Sequence, residues 1–80
     1  METHRKLEGD KRGALLDGLT TLEKRVLELA AMGRSNKQIA QALKLSEGTV
    51  RNYLSNVFAK LQVESLTEAA MFWWDKAKTI

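Results

Sequence analysis

The chain has no cysteine, no proline and a single histidine at position 4. Without cysteine there is no disulfide framework and no thiolate metal site. His4 stands alone in a polar tail, so neither a metal nor a cofactor is expected. A membrane span needs ~20 consecutive apolar residues, and no window of the chain approaches that. The opening METHRKLEGD also lacks the apolar core of a secretory signal. These absences point to a cytoplasmic protein. The parts of a catalytic site are missing as well. Carboxylates are scattered over helix surfaces and first turns, no glycine-rich loop follows a strand, and no nucleophile has a base beside it. An enzyme is therefore not expected.

What is present is a short, moderately basic chain. Eighty residues, 44% of them hydrophobic, suffice for one domain with a modest core. The net charge is +3, which alone says little, but its distribution says more. Between Arg34 and Lys60 the basic residues Arg34, Lys37, Lys44, Arg51 and Lys60 face only Glu47, giving +4 and leaving −1 for the rest. Positive charge concentrated on one segment is what contact with phosphates requires.

Residues 1–18 are charged and hold Gly9, Gly13 and Gly18. They read as a flexible linker or leader, with a short ordered piece expected at Ala14–Leu16. From Leu19 to Ile80 the chain is periodic, and four helix starts follow from capping chemistry. Thr20 with Glu23 forms a capping box, in which hydroxyl and carboxylate each satisfy an orphaned backbone N–H. The helix it opens is expected to bury Leu22, Val26, Leu29 and Ala30 and to end near Gly33. Ser35 with Gln38 opens a second helix through about Leu43. Ser46 caps a third, whose first-turn Glu47 suits the helix dipole. Ser65 with Glu68 opens the last. No sustained two-residue alternation occurs, so no sheet is expected. The predicted class is all-α, a four-helix domain.

Asn36–Ser55 carries the functional signal. Ile39, Ala40, Leu43, Leu45, Val50 and Leu54 are spaced to pack two short helices across a tight turn. On the third helix, Val50, Leu54, Phe58, Leu61 and Val57 share an arc of about 100°. Arg51, Ser55, Gly48, Ala59 and Asn52 occupy the opposite arc. Arg51 can make a bidentate contact to guanine, Asn52 can do the same to adenine, and Ser55 offers a shorter reach. Small residues between them let the helix lie close to a groove floor. The last helix has two apolar faces. Leu66, Ala69, Ala70, Trp73 and Ala77 form one, and Thr67, Met71, Trp74 and Lys78 form the other. A helix this apolar on more than one side is either fully buried or has a partner, and a partner is expected here. Tyr53 falls beside the buried face of the third helix, as a packing residue.

Leu19–Ala70 resembles the DNA-binding domain of the LuxR/FixJ/NarL transcription regulators. The resemblance rests on Leu19-Thr20 with Glu23, Val26-Leu27, Gly33, Asn36-Lys37 with Ile39-Ala40, Leu43, Ser46 with Thr49-Val50-Arg51, Lys60-Leu61 with Val63, and Glu68-Ala69. It implies a central helix-turn-helix whose third helix enters the major groove. It also implies a fourth helix that forms the dimer contact, here through Thr67, Met71, Trp74 and Lys78. Base contacts carried over from the family fall on Arg51, Asn52 and Ser55. Backbone contacts fall at Asn36, Lys37, Glu47, Thr49 and Lys60, with Glu47 acting through water or its helix N-terminus. Implied partners are double-stranded DNA, a second copy of the chain, RNA polymerase, and a receiver or sensor domain. Leu22 and Leu66 stand where the family usually has arginine, and are expected to meet as an apolar pair. Two other readings stay open at this point: a sigma-factor-like promoter reader, and a helix-turn-helix kept as a protein-interaction module.

Overall fold

The computed structural model describes residues 14–78, with side chains described as far as Trp74. Among the described residues five helices follow one another: α1 (residues 14–17), α2 (Thr21–Ala31), α3 (Asn36–Leu43), α4 (Glu47–Leu61) and α5 (Leu66–Lys78). No strand occurs among the described residues.

Helix starts follow the capping residues closely. Thr20 Oγ1 accepts from the Glu23 N–H at 3.1 Å, and Glu23 Oε1 accepts from the Thr20 N–H at 2.8 Å. Ser35 and Gln38 repeat the pattern at 3.1 and 2.9 Å. Helix ends share a second device. Gly33, Lys44 and Gln62 all adopt positive φ. The residue after each donates to the carbonyl five positions back: Arg34 to Leu29, Leu45 to Ala40, Val63 to Phe58. This Schellman geometry satisfies orphan carbonyls and turns the chain sharply. Leu45 and Val63 then fold back onto the core.

The core is two clusters joined side by side. Val26, Ala30, Ile39, Ala40, Val50 and Leu54 tie α2, α3 and the first half of α4 together. Leu16, Leu19, Leu27, Val57, Leu61 and Ala69 tie α1, α2, the second half of α4 and α5 together. Phe58 packs against both. The packed unit therefore reaches back past Leu19 to α1, whose Leu16 is buried.

Three local expectations are corrected. Leu66 is exposed at 38%, and neither it nor half-buried Leu22 joins either cluster. The expected apolar pair is therefore no part of the core. At the start of α5, Ser65 Oγ accepts from the Glu68 N–H at 3.3 Å, but the Glu68 carboxylate takes the N–H of Glu64, not of Ser65. Only half of that capping box forms. Finally, Leu27 is fully buried, so α2 is covered on two sides where one stripe was expected.

Among the described residues one charged side chain is buried. Glu23 is 4% exposed, and its Oε1 accepts from Lys60 Nζ at 2.7 Å as well as from Thr20. The bond fastens the last turn of α4 to the cap of α2. Burial alone would raise the Glu23 pKa. The Lys60 hydrogen bond, the Thr20 N–H and the lysine charge outweigh burial and hold it below its ordinary 4.5. A carboxylate with a depressed pKa contributes stability above its unfolded value and loses it as pH falls through the folded one. Glu23→Gln keeps the cap, as Gln38 does in α3, and removes only the charge. It should cost about 1–3 kcal/mol near neutral pH. The Tm gap to the unaltered protein, followed by circular dichroism, should close as pH drops below 4.5. A gap unchanged down to strong acid would show that the charge is not its source.

Candidate nucleic-acid interface

The interface is built on α3, α4 and the turn between them. Lys44 takes the left-handed conformation at φ 59°. Leu45 and Ser46 complete the turn, and Ser46 Oγ accepts from the Thr49 N–H at 3.1 Å to start α4. The Thr49 hydroxyl lies 2.8 Å from the same oxygen. Val50, Leu54, Val57 and Leu61 are all buried, and this sets the rotation of α4 about its axis. Arg51, Asn52 and Ser55 are consequently exposed on its outer side, as their spacing predicts. Asn56 is exposed too. It lies one turn beyond Asn52, and that i,i+4 spacing was the available signal for adding it to the face.

The first turn of α3 contributes Asn36, half-buried, and Lys37, exposed. Lys37 is electrostatically misplaced there. Helix N-termini carry partial positive charge and favour anions, yet α3 has no acidic residue in its first turn. An N-terminal turn with free N–H groups and a lysine is suited to an external anion such as phosphate. Helix α4 differs, because Glu47 in its first turn has the favourable sign. Glu47 is exposed and Thr49 half-buried. Lys60 stands apart from the other four expected backbone contacts. It lies at the far end of α4, and its ammonium is engaged by Glu23 while its side chain stays 42% exposed. Sequence reading missed this pair, since its members lie 37 residues apart and no local pattern announces it.

Helix α5 turns Ala69 into the core, with Phe72 and Trp73 half-buried against it. Its other side leaves Thr67 exposed, together with Met71 at 55% and Trp74 at 45%. Lys78 ends the helix, and its side chain lies outside the described residues. Over the described side chains α5 thus turns Ala69, Phe72 and Trp73 inward and Thr67, Met71 and Trp74 outward, while Leu66, expected on the inner face, is exposed. Tyr53 is half-buried on the cluster that joins α3 and α4. Among the described residues, no cluster of His, Cys, Asp or Glu could hold a metal ion. No described helix is long and apolar enough to cross a membrane.

Comparison with known proteins agrees with this architecture. The family model for bacterial regulatory proteins of the luxR family matches residues 17–73. An uncharacterized transcriptional regulatory protein of Bacillus subtilis, YhcZ, is 47% identical over 70 residues, covering 88% of this chain and 33% of the relative. The Mycobacterium tuberculosis DNA-binding transcriptional activator DevR/DosR is 49% identical over 57 residues, covering 71% of this chain and 26% of its own length. The response regulator StyR superposes with a TM-score of 0.82 at 34% identity, covering 92% of this chain and 37% of that one. The chain thus spans between a quarter and a third of the curated relatives it matches. Its helices, its turn and its sequence place it in the LuxR family of bacterial regulatory proteins, as a helix-turn-helix DNA-binding domain of a transcription regulator.

Proposed function

We propose that this domain reads DNA as a two-fold dimer in the cytoplasm. Each α4 lies in a major groove, with Arg51, Asn52 and Ser55 facing the base edges. The observation that carries the reading is the division of α4 into an apolar side, buried at Val50, Leu54, Val57 and Leu61, and an exposed side bearing Arg51, Asn52 and Ser55. Asn36 and Lys37 at the start of α3, and Thr49 at the start of α4, contact the phosphates on either side. Glu47 contributes through water or through the N-terminus it occupies, since a carboxylate repels phosphate. Lys60 contributes less than Lys37, because its charge is already shared with Glu23.

Dimerisation runs through α5, where Thr67, Met71, Trp74 and Lys78 meet their counterparts. Two copies then present α4 helices to successive grooves of a near-palindrome, with half-site centres spaced by roughly one helical turn, ~10 bp. Response regulators among the relatives support a receiver domain as the controlling partner in a longer protein, with RNA polymerase as the downstream contact.

Base-reading and phosphate-holding residues respond differently to salt and sequence. Arg51→Ala should cost about 1–3 kcal/mol on the preferred site and much less on random DNA. Lys37→Ala should weaken both and lower the slope of log affinity against log salt by about one. Lys60→Ala should leave that slope nearly unchanged while lowering Tm. Fluorescence anisotropy across a salt series separates the three, and equal losses on both DNAs for Arg51→Ala would reduce it to a phosphate contact. Trp74→Ala should abolish cooperative occupation of the two half-sites with little change in Tm, whereas Trp73→Ala should cost about 2–4 kcal/mol of stability. Unfolding by Trp74→Ala would instead assign Trp74 to the core.

A further inference from the structure

Gly48 sits in the first turn of α4, on its outward stripe, in the sequence Ser46-Glu47-Gly48-Thr49. Glycine is a poor helix former, because it loses the most backbone freedom on folding. The backbone does not require it here, since the positive-φ positions of the described chain are Gly33, Lys44 and Gln62. Packing does not require it either. A Cβ built on Gly48 would meet nothing closer than Arg51 Nη2 at 3.9 Å and Ser46 Oγ at 4.0 Å. Alanine would fit, and would suit the helix better. The fold therefore gives no reason for glycine.

What a short residue at position 48 leaves open is the space over the first turn of α4. Helix side chains lean back toward the N-terminus and cover the preceding turn, so Arg51 runs over the residue three before it, which is Gly48. Its Nη2 lies 3.9 Å from where a Gly48 Cβ would stand, and the guanidinium makes no hydrogen bond or ion pair among the described residues. We propose that Gly48 is a positioning residue for Arg51. The lane it leaves lets the guanidinium lie along the first turn of α4, and the residue at this position sets which base edge Arg51 reaches. This inference rests on the reading of α4 as the groove helix and adds a specificity determinant to it.

The geometry separates two substitutions. An alanine methyl stays at van der Waals distance from Arg51, whereas a longer side chain fills the lane and drives the guanidinium out of it. The test uses the DNA site that the unaltered protein enriches from a random pool, together with variants of that site carrying single base changes. Gly48→Ala should raise Tm by a few degrees and keep site discrimination within about twofold. Gly48→Met and Gly48→Gln should stay folded, with Tm no lower than the unaltered protein. Each should lose about tenfold discrimination at the base read by Arg51. In an Arg51→Ala background the same substitutions should cost nothing further, since the group they displace is gone. Full discrimination by both long-side-chain variants would overturn the proposal. So would an equal loss in both backgrounds, because residue 48 would then act on DNA directly and not through Arg51. Failure of the unaltered protein to enrich any site would remove the groove reading itself, a result distinguishable from either.

Discussion

The burial of Val50, Leu54, Val57 and Leu61 on one side of α4 is the constraint on which the rest of this domain depends. Each fully buried aliphatic side chain is worth about 1.5–3 kcal/mol, so the four together exceed any single polar contact in the molecule. They also do something no single contact can. Spread over the length of α4, they set its tilt and its rotation at once. A slip of one residue would turn the helix by about 100° and bring Arg51 toward the core. The outward placement of Arg51, Asn52 and Ser55 is thus a consequence of packing on the opposite side of the helix.

That division extends through the fold. The cluster joining α2, α3 and the first half of α4 holds the helix-turn-helix, and the cluster joining α1, α2, the second half of α4 and α5 holds the helix with the exposed Met71 and Trp74. Helices α2 and α4 belong to both, and Phe58 touches both. The Glu23–Lys60 bond adds a polar fastening at the end of α4 farthest from the turn. A buried ion pair is weak evidence for stability in itself, because desolvation offsets much of its attraction. Here every partner is satisfied, and no described buried side-chain polar atom lacks one. Its effect is to join the cap of α2 to the last turn of α4. It also engages the ammonium of Lys60.

Sequence alone shows most of the local structure. Ser46, Thr20 with Glu23 and Ser35 with Gln38 mark helix starts because capping is decided within three residues, and Gly33 marks an end for the same reason. The inner face of α4 is readable because four aliphatic residues recur at helical spacing. What could not be read depends on neighbours distant in sequence. Leu27 is buried because α2 is covered on two sides, and Leu66 is exposed because neither core cluster reaches it. The glycines of residues 1–18 obscured Leu16, whose burial depends on α2 and α5 being in place. Glu23 was readable as a cap but not as the partner of Lys60. On the interface, the outward placement of Arg51, Asn52 and Ser55 follows from the pattern. The proposed contacts to DNA and to a second copy depend on the surfaces of those partners as well as on this chain.

The most direct test is selection of bound sequences from a random DNA pool, with the affinity of the enriched site followed against salt. The account predicts an inverted repeat with half-sites about one helical turn apart, bound with a steep salt dependence. A single asymmetric motif would contradict the dimeric arrangement. No enrichment, with negligible binding even at low salt, would contradict the reading of α4 as a DNA-recognition helix.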